Sequence, residues 1–431
     1  MISISSSRTN TRKSPGSEPG VKLRFQNTML IPKCGYFTFN LYFYRNRAKM
    51  KVRRSILLLP VIVSIAAIPF EGSIDHPSYI LKRSFFKTCL SSINISPDGN
   101  RLMAGFQDGS LAILDAVTFV PVLEVDRVHL KAVNAMDMPP NMDFFLSAGS
   151  NSIFLWDLAG NKLATWTGHA TTIWNAEISK DGKFAVSSEF NKTFLLWDVA
   201  GNTLKEKMQG HDDVALSVSI SPDNRLIASG SSDQTIRIWL AGDRRVIRTI
   251  NGPSGEIYDL AFSPDSRLLA AACKDRTVRV YDAEEGSLLH LLKGHRDMVM
   301  EAEFSPDGRY LVSGSADHSL ILWDVVSGDQ IHSFPENEEA LLDLVFHPDG
   351  RSFYSISFAG DLTRWSIDPE IFVTRYFETP YREELSADPL FQPRYPGEAR
   401  KEYELREQEA AVRKAGIIQK YYLLYLDQYR R

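Results

Sequence analysis

The chain has 431 residues, more than one undivided hydrophobic core usually fills, with the 44% apolar and 11% aromatic content of an ordinary globular protein. Its formal charge of −4 hides an asymmetry: residues 1–72 carry 12 Lys/Arg against Glu18 and Glu71, a net +10, while the remainder holds 37 basic and 51 acidic residues and stands at −14. An acidic body repels a phosphate backbone, which argues against nucleic acid as the main partner.

In chain order, residues 1–49 are rich in Ser, Arg and Asn, carry no repeat, and read as a disordered or untranslated extension. The pattern changes at Met50. Lys51, Arg53 and Arg54 form a positive head, Ile56 to Ile65 an apolar stretch of signal-peptide length, and Ser64-Ile65-Ala66 a small-x-small cleavage signal. Residues 50–72 are therefore expected to be a signal peptide, and the protein exported, periplasmic or extracellular. The uncharged run over 55–70 falls a little short of a bilayer span; uncleaved, it makes a short membrane anchor and the one membrane contact. If that hydrophobic start is misleading, the protein is cytoplasmic. Cys34, Cys89 and Cys273 lie in separate parts of the chain, so no disulfide is expected.

From residue 73 a repeat takes over. Ile113-Leu114-Asp115, Leu155-Trp156-Asp157, Leu196-Trp197-Asp198, Ile238-Trp239, Val280-Tyr281-Asp282, Leu322-Trp323-Asp324 and Arg364-Trp365 recur at steps of 42, 41, 42, 42, 42 and 42 residues. So strict a period means radial repetition, each unit being a small sheet whose faces stay wet until neighbours cover them. Turns such as Ser96-Pro97-Asp98-Gly99, Ser221-Pro222-Asp223-Asn224 and Ser305-Pro306-Asp307-Gly308 punctuate each unit, and their spacing fits four short antiparallel strands.

Gly-His about 28 residues before Trp-Asp, with an Asp six before the Trp, resembles the WD40-repeat (β-transducin-like) family over about residues 79–368. The resemblance implies an all-β, seven-bladed propeller over 73–368. It also implies, in each blade, a buried hydrogen-bond chain of His, Ser, Asp and Trp. His211, Ser229, Asp233 and Trp239 match that pattern fully, as do His295, Ser313, Asp317 and Trp323; His169, Ser187 and Trp197 lack the Asp, replaced by Asn191. Elsewhere the match decays, with Phe86, Pro253 and Asn337 in the His position and Ala359 in the last turn, so those blades are expected to rely on apolar packing and to be softer. Tyr79 to Phe85 resembles the strand that closes the ring from the N-terminal side, with Ile371-Phe372-Val373 as its rival for that edge.

Chemistry is hard to find. His295-Arg296-Asp297 spells a kinase catalytic triplet, but it sits in the Gly-His slot and no Gly-rich loop or Asp-Phe-Gly accompanies it. No histidines stand at metal-ligand spacing beside a carboxylate or thiolate, and there is no nucleophile elbow or phosphate loop. The expectation is a non-enzyme with no cofactor and no metal. In the family, partners dock on the face made by the loops before the first strand and between the second and third strands. Carried onto this chain, that face holds Trp174, Leu216, Tyr258, Met300 and Leu342, with Val214, Met298, Phe190 and Phe358 beside them, an apolar protein-binding rim; the alternative is that these side chains tuck between blades.

Residues 369–396, with Pro369, Pro380, Pro389, Pro393 and Pro396, read as a Pro-rich linker, and 397–431 as an amphipathic helical tail. Ile418, Tyr422, Tyr425 and Tyr429 share one helical face, so 417–429 must pack on the chain's own propeller or on a partner. The leading reading is an exported interaction scaffold binding a protein partner. Its rivals are a periplasmic propeller enzyme of lactonase or quinoprotein type and a cytosolic regulatory protein.

Overall fold

In a computed structural model, described here at the backbone of 24–31, 35–42 and 79–83 and over 88–334, 339–393 and 400–428, the chain divides into two units, 1–73 and 74–431. In the first unit, Arg24–Ile31 pairs antiparallel with Gly35–Tyr42. Its strand signal is local: Phe37, Phe39 and Leu41 alternate with Thr38 and Asn40 inside the Ser- and Arg-rich stretch 1–49. The run 50–72 lies outside the described residues, and among those described no helix is long and apolar enough to cross a membrane.

The second unit contains seven four-stranded antiparallel sheets. Their innermost strands are Leu90–Ile95, Val133–Asp137, Ile173–Ile178, Ala215–Ile220, Ile257–Phe262, Val299–Phe304 and Leu341–Phe346. The fourth blade shows the pattern in full, with Leu226–Ser231, Ile236–Leu240 and Val246–Ile250 following outward in chain order. Strands covered on both faces read as buried runs, and Leu226–Ser231 is buried at every position; the outer strand of the third blade, Thr203–Gln209, alternates between exposed and partly covered residues because one face meets solvent. The Ser-Pro-Asp turns are built by side chains: Ser221 Oγ donates to Asp223 at 2.6 Å and accepts from Leu226 N–H at 2.8 Å, while Asn224 takes a φ of 61° where the sister turns use Gly99, Gly308 and Gly350. Hydrophobic cores lie between blades. Ala228 and Ile238 of the fourth pack on Ile257, Leu260 and Leu269 of the fifth.

An inner strand is also the inner edge of its sheet, and its outward N–H groups need acceptors. Carboxylates of the preceding blade supply them. Asp137 accepts from Ile178 N–H at 2.7 Å, Glu177 from Ile220 at 3.0 Å, Asp259 from Ala302 at 3.3 Å, Glu303 from Phe346 at 2.7 Å and Asp343 from Ile93 at 3.0 Å. Each of the five ties one blade to the next.

The seventh sheet is completed by Tyr79–Arg83, hydrogen-bonded to Leu362–Ser366. Its rival at that edge is helical instead: α1 spans Pro369–Tyr376, capped by Asp368, with Pro at the first turn where no donor is lost. α2 follows at Glu378–Ala387 and a 3₁₀ turn at Pro389–Phe391. Residues 369–391, read from their prolines as a linker, are thus mostly short helices, because Pro369 and Pro389 start elements rather than interrupt them. The long helix α3 runs from Arg400 to Gln428. It packs on α1 and α2 through Ile417 and Tyr421 and reaches the chain's own propeller through Tyr425; of the face read from the sequence Tyr425 is buried, while Ile418 and Tyr422 are only partly covered. Tyr425 stacks on Phe372 at 5.0 Å and shares a 3.0 Å hydrogen bond with Tyr310 of the sixth blade.

Candidate functional site

The His, Ser, Asp and Trp side chains meet as their spacing requires. In the fourth blade Trp239 Nε1 donates to Ser229 Oγ at 2.9 Å, Ser229 Oγ lies 2.8 Å from His211 Nε2, and His211 Nδ1 lies 2.9 Å from Asp233. One proton arrangement satisfies all four: indole to hydroxyl, hydroxyl to Nε2, Nδ1–H to carboxylate. Burial lowers the His211 pKa, so the ring is neutral. Burial opposes ionisation of Asp233 too, but hydrogen bonds from Thr235, Asp212 N–H and His211 hold it at about 2. In the sixth blade Trp323 and His295 reach Ser313 at 2.8 and 2.7 Å, and Asp317 accepts from Arg296 N–H at 2.6 Å. The third blade keeps His169, Ser187 and Trp197 at 2.8 and 2.7 Å. These histidines are spent on structure, and the kinase-like triplet at His295 is part of one such chain.

Three blades hold polar links that spacing did not show. His129 lies 2.9 Å from Ser147 Oγ, which also accepts from Trp156 at 2.9 Å. His129 stands 27 residues before its Trp instead of 28, and a search at fixed spacing passes it by. In the fifth blade Pro253, Ala271 and Tyr281 replace His, Ser and Trp, yet Asp275 remains and pairs with Arg279 at 2.8 Å. That blade does not rest on apolar packing alone. Nor does the seventh, where Trp365 still donates to Ser355 at 2.8 Å.

The rim differs from the expectation. Trp174, Leu216, Tyr258, Met300, Leu342, Met298 and Phe358 are all buried. Trp174, Leu216, Tyr258, Met300 and Leu342, together with Ser91 and Asn134, sit where the register of each inner strand shifts, the extra residue of a β-bulge. A bulge re-aims its side chain. In the first two blades it aims at the neighbouring blade: Ser91 Oγ donates to Val133 C=O at 2.7 Å and Asn134 Nδ2 to Ile173 C=O at 2.8 Å. What survives of the rim is local. Phe190 is 46% exposed, its ring centroid 6.0 Å from that of Trp174, which is only 4% exposed. Ala215 N–H donates to Asn191 C=O at 2.8 Å, and Val214 and Phe190 each stand one residue before an end of that bond. Val214 is half-buried, and Asp212, Asp213 and Lys192 around it are exposed. The structure thus sets Phe190 against Trp174 in the third blade and links the loop after Phe190 to the strand after Val214 in the fourth.

Among the described residues no three His, Cys, Asp or Glu side chains are grouped to hold a metal ion, and Cys89 and Cys273 are free thiols. Burial raises the Cys273 pKa to about 12, which leaves it an inert thiol rather than a nucleophile.

Comparison with known proteins agrees with the geometry. The model of the WD domain, G-beta repeat, matches residues 121–157, 160–198, 202–239, 244–282 and 286–324. Each match runs from one blade's outer strand through three strands of the next. Similar curated proteins include DDB1- and CUL4-associated factor 10 of Xenopus laevis, 26% identical over 25% of this chain and 24% of its own length. Protein HIRA of Dictyostelium discoideum is 24% identical over 25% and 12%, and U3 small nucleolar RNA-associated protein 12 of Saccharomyces cerevisiae 29% over 26% and 12%. The matched stretch thus covers no more than about a quarter of any of these relatives. They correct the expectation of export: two are named for association with DDB1 and CUL4 and with a small nucleolar RNA, not for an exported compartment. A decapeptide of apolar residues behind a few basic ones is too common a pattern to specify secretion alone, and the signal-peptide and periplasmic readings are withdrawn.

Proposed function

As the chain belongs to the WD40-repeat family, we propose that it is a non-catalytic regulatory scaffold of the cell interior that docks a protein partner on its third and fourth blades. One observation carries this reading: Phe190 presents nearly half of an aromatic ring to solvent while Trp174 backs it rigidly from beneath. A large aromatic held in place loses little entropy on binding and makes an interface anchor. Val214 extends the apolar spot, and exposed Asp212, Asp213 and Lys192 give it the charged border of an interface rim. The names of the relatives put DDB1 first among partners to test.

Affinity capture compares the native chain with Phe190→Glu and with Val326→Glu, a control at an exposed residue in a turn of the sixth blade. Proteins lost with Phe190→Glu and kept with Val326→Glu are the expected result. An unchanged set of bound proteins overturns the site.

A further inference from the structure

We propose that α3 is a homodimerisation helix, pairing antiparallel with α3 of a second copy of this chain. Its buried face, Ile417, Tyr421 and Tyr425, is taken by the chain's own propeller and helices. The opposite face carries a second apolar stripe. At 100° per residue, Leu405, Val412, Gly416 and Leu423 fall within roughly 20° of one line along the helix, about 160° round from Tyr421. Leu405, Val412 and Leu423 are 57%, 76% and 55% exposed, far more than unpartnered leucine and valine on an otherwise polar helix require.

The stripe is complementary to itself. In an antiparallel pair centred on residue 414, Leu405 of one copy meets Leu423 of the other, and Val412 meets Gly416. A side chain built at Gly416 touches nothing within 4 Å, so the glycine leaves a hollow where the facing valine needs one. The twofold axis repeats both contacts, which is what an isologous interface demands. A parallel pair instead faces Gly416 with Gly416, and the hollow stays empty. Because the docked and free faces are opposite, the two propellers stand on opposite sides of the helix pair.

Sedimentation of the full chain is expected to show a concentration-dependent dimer. Val412→Glu and Leu423→Glu each raise the dimer Kd at least about tenfold without moving the melting point, since both side chains face solvent in the monomer. Orientation is read by oxidative cross-linking with Cys34 and Cys89 replaced by Ser. Copies carrying Leu405→Cys cross-link to copies carrying Leu423→Cys, and neither variant cross-links to itself. A chain that stays monomeric at every concentration, or a Leu405→Cys variant that cross-links to itself, overturns the proposal. Neither result bears on Phe190, whose partner is captured independently of α3.

Discussion

Arg279 Nη2 lies 2.8 Å from the carboxylate of Asp275 in the fifth blade, and Arg279 Nη1 donates to Thr277 Oγ1, also at 2.8 Å. In the fourth and sixth blades the equivalent carboxylates, Asp233 and Asp317, face a histidine and cap the loop entering the blade. Asp275 caps the same loop, accepting from Ser254 N–H at 3.1 Å, but its counterpart is a guanidinium. The fifth blade has thus kept the carboxylate and changed what neutralises it.

Removing Arg279 leaves that partly buried carboxylate without its counter-ion, held only by Ser254 and Thr277. Arg279→Met is expected to lose about 1–3 kcal/mol, because a partly buried charge that loses its partner costs more than the pair itself contributes. Adding Asp275→Asn restores most of the loss. Chemical denaturation of the single and double variants measures both steps, and an additive double variant contradicts the pairing.

The carboxylates that tie the blades together set a pH dependence. Burial, with Asp137 nearby and Lys180 opposing, raises Glu177 to about 7; burial, with Asp343 and Asp259 nearby and Lys180 opposing, raises Glu303 to about 8. A glutamate with a raised folded-state pKa holds a proton that the unfolded chain has released, so stability falls as pH climbs from its unfolded value to its folded one. His129 and His169 act in the other sense: burial lowers both to about 4, and stability falls as pH drops from the ordinary histidine value to that one. The two trends oppose between about pH 4.5 and 6.5, and above that the glutamates act alone. The melting temperature is therefore expected to decline from pH 6.5 to 8.5. Glu303→Gln, whose amide oxygen still accepts from Phe346, flattens the decline; an identical slope in that variant removes Glu303 from the account.

The ring itself was plain in the sequence, because a 42-residue period needs only that each blade repeat its own local hydrogen bonds and turns. Two kinds of feature escaped. His129 and Arg279 depart from the repeat by one position or one residue type, and a template cannot see a substitute that does the same work by different chemistry. The rim failed for a geometric reason. Spacing places Trp174, Leu216, Tyr258, Met300 and Leu342 correctly at one level of five inner strands, but whether they face solvent depends on a bulge that spacing does not encode. In the tail, spacing put Tyr422 on the apolar face, but Phe377 and Tyr381 bury Tyr421, and no periodicity within α3 encodes where those two rings lie.

The docked end of α3 makes a further test. Tyr425 fills a space bounded by Tyr310, Phe372 and Tyr376, and its hydroxyl bonds Tyr310 inside that cluster. Tyr425→Phe loses that bond and leaves the Tyr310 hydroxyl wanting a partner, an expected cost of about 1 kcal/mol. Tyr425→Ala opens a cavity as well and costs about 3–5 kcal/mol. Proteolysis should then release α3 before the propeller unfolds. Equal stability of the native chain and Tyr425→Ala contradicts the docked arrangement.

Phe190 and Trp174 touch, yet their substitution should have opposite consequences. Trp174 is the bulged residue of an inner strand and is almost wholly buried, so Trp174→Glu buries an unpaired charge and is expected to cost several kcal/mol or abolish folding. Phe190 stands on the solvent side of the pair with nearly half its surface free, so Phe190→Glu should change stability by no more than about 0.5–1 kcal/mol. If the pair anchors a partner, binding falls steeply with Phe190→Glu in a protein whose melting temperature is nearly unchanged. Trp174→Phe separates support from contact: it keeps an aromatic beneath Phe190 while loosening the fit, so it should weaken binding less than Phe190→Glu. A Trp174→Phe variant that binds worse than Phe190→Glu makes the indole, not the exposed ring, the group the partner touches.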